Sequence, residues 1–188
     1  MKSFKVLLVS LFLMTGCFGG YSPESKFYNL QAETERDVVS YKKLSVGIGD
    51  VILPDAVDRP QIVISQENSS EVMISETNRW SESLDTMIQG VLTADIAAYL
   101  PRSVVKVREL NENFKVIVSV EIVQFKMIEK QKAVLKAWWY EVDRYGNRRY
   151  RQEFVGEEEI GQSFDDFVKA ESKLLNSLAK DIAEKISK

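Results

Sequence analysis

Ser83-Leu84-Asp85-Thr86-Met87-Ile88-Gln89-Gly90-Val91-Leu92-Thr93-Ala94-Asp95-Ile96-Ala97-Ala98-Tyr99-Leu100-Pro101 is the stretch whose reading decides the fold. Leu84, Ile88, Val91, Leu92, Ile96, Tyr99 and Leu100 recur at the spacing of one helical face, so the segment is an amphipathic helix with an apolar stripe to bury. Ser81 or Ser83 can cap its start, and Pro101 lies just past its end. The segments around it read differently. Upstream, Phe27 to Leu30 is a short strand, residues 31–43 are a polar loop, and Ser45 to Leu53 is a glycine-containing strand stopped by Pro54. Pro60 to Ser65 and Glu71 to Ser75 form a hairpin turned by Gln66 to Ser70. Downstream, Ser103 to Leu110, the Val/Ile-rich run Phe114 to Phe125, Ala133 to Val142 and Arg149 to Glu158 read as four more strands, with turns at Asn111 to Asn113 and Asp143 to Asn147. A second helix runs from about Asp165 to Ile186, capped by Ser163, with Asp165 and Asp166 at its positive end. Strands, helix, strands, helix imply an α+β fold: a largely antiparallel sheet with two amphipathic helices packed on one face. Residues 27–188 are expected to form one such domain.

Composition narrows the chemistry. Apolar residues make up 45% and charged residues 28% of the chain, an ordinary globular balance. The formal charge of −3 argues against nucleic acid as a partner. With no histidine and one cysteine, the usual ligands for zinc or copper and the commonest general base are missing, so neither a cofactor nor a metal is expected.

The N-terminus carries an address. Lys2 and Lys5 precede Val6 to Met14, which is apolar apart from Ser10, and Thr15, Gly16 and Cys17 follow. A basic start, a short apolar run and small residues at a cut point describe an export signal. The run is too short to span a bilayer, which takes about 20 apolar residues. Leu13-Met14-Thr15-Gly16-Cys17 resembles the bacterial lipobox, in which a peptidase cuts before a diacylated cysteine; Met14 stands where Leu, Val or Ile is more usual. The alternative is an ordinary secretory signal that happens to contain a cysteine. An unpaired thiol in an oxidising compartment is a liability that acylation removes. The expected organisation is therefore a lipoprotein signal peptide over 1–16, an acylated Cys17 with a tether over 17–26, and a periplasmic domain. Loss of residues 1–16 takes two lysines and moves the formal charge from −3 to −5. Phe18, rather than Asp, follows the cysteine and resembles the outer-membrane sorting class. About ten extended residues reach at most roughly 35 Å, so the domain stays near its membrane.

Leu53-Pro54-Asp55-Ala56-Val57-Asp58-Arg59-Pro60-Gln61-Ile62-Val63, followed by Asn78-Arg79-Trp80-Ser81-Glu82-Ser83-Leu84, resembles the ABC-type transport auxiliary lipoproteins, the family of paraquat-inducible protein C. That family shows an aromatic-Tyr-x-Leu start, matched here by Phe27 to Leu30, a glycine-containing strand ending in Pro, an Asp-Arg-Pro-Gln-Ile element and Arg-Trp before a helix. The likeness extends over about residues 13–100 and, by pattern, the final helix; residues 103–160 carry no matching motif. It implies a non-enzymatic outer-membrane lipoprotein that faces the periplasm and docks an MCE-type ABC system carrying lipid between inner and outer membranes. The implied partners are the membrane, through the acyl chains, and an MCE-domain transporter subunit. Phospholipid and further copies of the chain are candidate partners. A different binding role, as an assembly or pilot lipoprotein of another outer-membrane machine, is the alternative.

Arg59, Arg79 and Trp80 are the specific-looking positions. Arg and Trp together suit an interface anchor; the plainer reading pairs Arg59 with a carboxylate and sets Trp80 in the helix–sheet seam. Trp138 and Trp139, adjacent on a strand, must face opposite sides. Arg144, Arg148, Arg149 and Arg151 with Tyr145 and Tyr150 make a basic aromatic hairpin, suited to lipid head groups or an acidic partner, or simply solvated. Of these, Arg148 and Arg149 are the candidate contacts. Gly47-Ile48-Gly49 lacks the third glycine and following helix of a phosphate loop. The Ser-x-x-Lys matches at Ser40 and Ser177 lack the companion motifs of Ser-Lys hydrolases.

Overall fold

The structure is a computed structural model that describes residues 23–33, 37–66, 71–109 and 112–188. The signal segment 1–16, Cys17 and the tether as far as residue 22 lie outside the described residues. The elements are β1 (Lys26–Tyr28), β2 (Ser45–Ile52), β3 (Gln61–Ser65), β4 (Val72–Trp80), α1 (Leu84–Tyr99), β5 (Val104–Val107), β6 (Val116–Ile128), β7 (Lys132–Val142), β8 (Arg148–Glu159) and α2 (Phe164–Ile186). The fold is α+β, with the two helices where the periodicity puts them.

β6, the Val/Ile-rich run, is the axis of the sheet. Along one edge it pairs antiparallel with β7 from Ile117↔Val142 to Ile128↔Lys132, and β7 pairs antiparallel with β8. Along its other edge lie two strands end to end, both parallel to it. β2 takes the first half (Val46↔Val116 to Ile52↔Glu121) and β3 the second (Ile64↔Met127, Ser65↔Ile128). Pro54 and Pro60, which cannot donate to a ladder, occupy the break between them. A turn there is closed by the Val57 amide donating to the Pro54 carbonyl at 2.9 Å. β5 extends the sheet beyond β2 in parallel, and β4 and β1 extend it beyond β3. The sheet is thus mixed. Its two longest pairings are antiparallel hairpins, whereas β1–β4, β2–β5, β2–β6 and β3–β6 are parallel, joining segments distant in sequence.

Alternation along β6 and β7 turns Val118, Val120, Ile122, Phe125 and Met127, with Ala133, Leu135, Ala137 and Trp139, to one face. Both helices bury their stripes there: Leu84, Ile88, Leu92 and Ile96 from α1, and Phe167, Leu174, Leu175, Leu178 and Ile182 from α2. Trp80, Phe125 and Phe167 meet in the seam, with ring centroids 5.9 to 6.3 Å apart. α2 starts on a capping box in which the Asp166 amide donates to the Ser163 hydroxyl at 3.1 Å and Asp166 reaches back to the Ser163 amide. At Gly156 a Cβ would come within 2.7 Å of Leu174 Cδ2, so this glycine lets α2 lie close on β8.

Two polar side chains and one backbone carbonyl of the helices strap down the segment after β1. The Gln31 amide donates to Ser172 Oγ and the Glu33 amide to the buried Asp95, each at 3.1 Å, and the Val39 amide donates to the Tyr99 carbonyl at 3.0 Å. Glu171 of α2 is fully buried. The amides of Lys126 and Val134 approach it, but neither carboxyl oxygen completes a hydrogen bond. Burial therefore holds its pKa well above the ordinary 4.5. The unfolded chain ionises at Glu171 before the folded one does, so the folded state loses stability as pH rises above that value. Glu171→Gln is expected to raise the urea midpoint at pH 7.5, by on the order of 1–3 kcal/mol of stability, and to give no gain at pH 3.5, where Glu171 is protonated in both states.

Candidate functional site

The face of the sheet turned away from the helices is built from the residues of opposite parity. On β6 these are Ile117, Ser119 and Glu121, and on β7 Trp138, Tyr140 and Val142. Ile117, Tyr140 and Val142 form a second, small core, with Phe114 and Trp138 packed against it. β8 roofs this core with cations: the Arg148 guanidinium lies 3.7 Å from the centre of the Tyr140 ring, and that of Arg151 3.6 Å from the Trp138 ring. Glu121 ties the arrangement together, accepting from the Tyr140 hydroxyl at 2.8 Å and from Arg148 at 3.2 Å. Burial, then the Glu121 bond, raises the Tyr140 pKa against the pull of Arg148 and Arg151. The neighbouring Trp139 points the other way, buried beneath α2, and donates to Asp181 at 2.9 Å.

The loop between β7 and β8 is shaped by Asp143. Its carboxylate accepts from the Tyr145 and Asn147 amides at 2.9 and 3.0 Å and from the Asn147 side chain at 3.0 Å. Those bonds, the Asn147 ones first, hold its pKa below the usual carboxylate value. Gly146 takes φ 87° at the tip, a conformation that needs glycine. Arg144 stacks on Tyr145, which is 75% exposed. Beside the loop is an open cleft of about 520 Å³ lined by the cations Arg108, Lys115, Arg144 and Arg149, by the carboxylates Glu112, Glu141 and Asp143, and by Phe114 and Tyr145. Of the two candidate arginines here, Arg148 is engaged with Tyr140 and Glu121, while Arg149 extends into the cleft 3.7 Å from Asp143. Arg108 just after β5, Lys115 just before β6 and Glu121 on β6 were not among the candidates; the one trace in the sequence is Ser119 and Glu121 alternating with Val118, Val120 and Ile122.

Arg59, Arg79 and Trp80 sit at the far side of the sheet, since β4 and β8 are separated by β3, β6 and β7. The candidates therefore make two sites. Trp80 fills the helix–sheet seam, as the plainer reading had it. No ion pair joins Arg59 to a carboxylate among the described residues. Instead Arg59 and Arg79 line one cleft of about 400 Å³, together with Phe27, Asp58, Glu82 and Ser83.

Ser40 and Ser177, the Ser-x-x-Lys positions, are spent locally: Ser40 accepts from the Lys42 amide and Ser177 donates to the Lys173 carbonyl. Among the described residues no three His, Cys, Asp or Glu side chains are placed to hold a metal ion, and no helix is long and apolar enough to cross a membrane.

Residues 28–183 match the family described as the ABC-type transport auxiliary lipoprotein component. The chain belongs to that family. No curated protein sequence matches this auxiliary lipoprotein. Among solved structures, the crystal structure of an uncharacterized protein superposes with a TM-score of 0.69 at 20% identity, covering 88% of this chain and 100% of that one. A Xanthomonas campestris protein of the DUF330 family superposes with a TM-score of 0.71 at 8% identity, covering 86% of this chain and 94% of that one. At such identities the likeness is one of fold. Arg59, Arg79, Trp80, Arg148 and Arg149 all fall inside the span that matches the family; Cys17 and Phe27 precede it. Because Arg148 in this lipoprotein roofs Tyr140 and Arg149 only skirts a loop, Arg148→Ala is expected to lower stability by about 1 kcal/mol and Arg149→Ala by under about 0.5 kcal/mol, as read from urea unfolding midpoints.

Proposed function

We propose that this auxiliary lipoprotein is held at the outer membrane by acyl chains on Cys17, faces the periplasm, and serves as a non-enzymatic docking subunit of an MCE-type ABC system moving phospholipid between the inner and outer membranes. The observation that carries this reading is family membership over residues 28–183, in a chain that begins with a lipobox-like Leu13 to Cys17. The physical logic supports it. Acyl chains anchor stably once two or more are present, and a tether of about ten residues keeps the domain within roughly 35 Å of the bilayer. Tethering raises the effective concentration of a partner site that reaches the same membrane. The cleft beside the β7–β8 loop offers Arg144, Arg149 and the exposed Tyr145 as the contact surface for an acidic partner, since Arg148 is already engaged.

The reading is tested by affinity purification of the acylated protein from solubilised membranes, with co-purifying proteins and lipids identified by mass spectrometry. An MCE-domain subunit is the expected companion; another outer-membrane machine in its place would favour the assembly or pilot role. Intact mass is expected to exceed that of the chain from Cys17 onward by its acyl groups. A mature form without them, released from the envelope, would remove the anchor. Charge reversal at Arg144 and Arg149 is expected to reduce co-purification severalfold while leaving the unfolding midpoint within about 0.5 kcal/mol of the parent.

A further inference from the structure

The cleft that gathers Arg59 and Arg79 holds two cations that form no ion pair among the described residues. Both side chains are half-buried, and the Nε atom of each is buried without a hydrogen-bond acceptor. Asp58 and Glu82 also line the cleft, but neither is within ion-pairing distance of either arginine, and both are exposed at its rim. Burying even part of a guanidinium without a partner has a cost, and an anion seated in the cleft supplies charge opposite to both half-buried arginines.

The backbone holds the arginines in place. Arg79 sits in register between Phe27 of β1 and Gln61 of β3. The Trp80 amide donates to the Pro60 carbonyl at 2.7 Å and the Arg59 amide to the Val57 carbonyl at 2.8 Å, so the Arg59-Pro60 and Arg79-Trp80 elements are tied to each other. Pro60 restricts the chain between them. The start of α1 opens on the same cleft, and its N-cap Ser83 leaves the first helical amides uncapped, its hydroxyl donating to Thr86 at 2.8 Å instead. The positive end of the helix adds to the two guanidinium groups.

We propose that this cleft binds the phosphate of a phospholipid head group, and that the ethanolamine class fits it best. The arginine fork matches phosphate oxygens in pairs, which favours this group over a single-point anion. The order of charges is the second argument: cations lie inside, and the carboxylates of Asp58 and Glu82 lie at the rim. A phosphate followed outward by an ammonium meets each in turn. Phe27, 64% exposed beside the arginines, presents an aromatic ring at the mouth, ten residues along the chain from the proposed anchor. This deepens the transporter reading and rests on it only in taking the anion to come from lipid.

The test uses the full acylated protein in a nonionic maltoside detergent, with native mass spectrometry read at increasing 1-palmitoyl-2-oleoyl phosphatidylethanolamine and, separately, inorganic phosphate. One bound lipid per chain is expected, with phosphate alone binding at least about tenfold more weakly. Arg59→Gln combined with Arg79→Gln is expected to weaken lipid binding by at least about tenfold. Arg79→Lys, which keeps the charge and the fold but loses the fork, should weaken it by a smaller, measurable factor, and serves if the double variant unfolds. Lipid binding unchanged in the variants, or absent from the parent, would overturn the proposal. Inorganic phosphate binding as tightly as the lipid would overturn its lipid source. Lipid binding is read on the protein alone, so it stands or falls separately from recovery of an MCE-domain partner.

Discussion

The apolar face shared by β6 and β7 is what the rest of the molecule depends on. Neither helix can bury its stripe alone, and neither can the sheet; each becomes stable by covering the other. Val118, Val120, Ile122, Phe125 and Met127 on β6, with Leu135 and Trp139 on β7, form the middle of a face over which α1 closes at β2 and β5 and α2 at β7 and β8. The Trp80–Phe125–Phe167 cluster joins strand β4, strand β6 and helix α2 at one point. That junction also positions Arg79. With Trp80 locked inward, strand alternation sends Arg79 to the other side, beside Phe27 and Gln61.

Covering one face leaves the other to be managed without helices, and this lipoprotein does so with paired charges and stacked cations. Arg148 and Arg151 lie over Tyr140 and Trp138, Glu121 anchors the group, and Lys136–Glu153 and Lys132–Glu157 bridge β7 to β8 at 2.7 and 3.0 Å. Most charges on this face are thus matched within the protein. That gives weight to the groups that are not: Arg144, exposed beside the β7–β8 loop with Tyr145, and Arg59 and Arg79, which make no ion pair among the described residues. The two clefts share no lining residue, so the partner and the lipid proposed for them do not compete for the same surface.

The likeness to solved structures at 20% and 8% identity follows from the same constraint. A fold that rests on alternating apolar positions and two helical stripes tolerates almost any sequence that keeps the pattern. Function has to be read from particular side chains on that scaffold. In this family member the side chains proposed to carry it are arginines that form no ion pair among the described residues.

Periodicity and turn chemistry by themselves determined most of the elements, though β4 runs on to Trp80, past the Ser75 where the sequence pattern ends it. Both helices, the β3–β4 and β7–β8 hairpins, and the opposite facing of Trp138 and Trp139 follow from local spacing, because side-chain direction within one element is set by its own backbone geometry. The sequence also marked Arg59, Arg79 and Trp80 as unusual, through their motifs. The β6–β7 turn was less legible: Glu129 and Lys130 take φ of 48° and 54° with no glycine to announce it. Tertiary structure alone decided which distant strands pair. Nothing local tells β2 and β3 to lie end to end along β6, since parallel partners are brought together by the burial of both helices and not by a turn. It also decided that Arg59 and Arg79, twenty residues apart, share a cleft while Arg148 is spent on a tyrosine ring, because a charge acquires or lacks a partner only once the chain has packed.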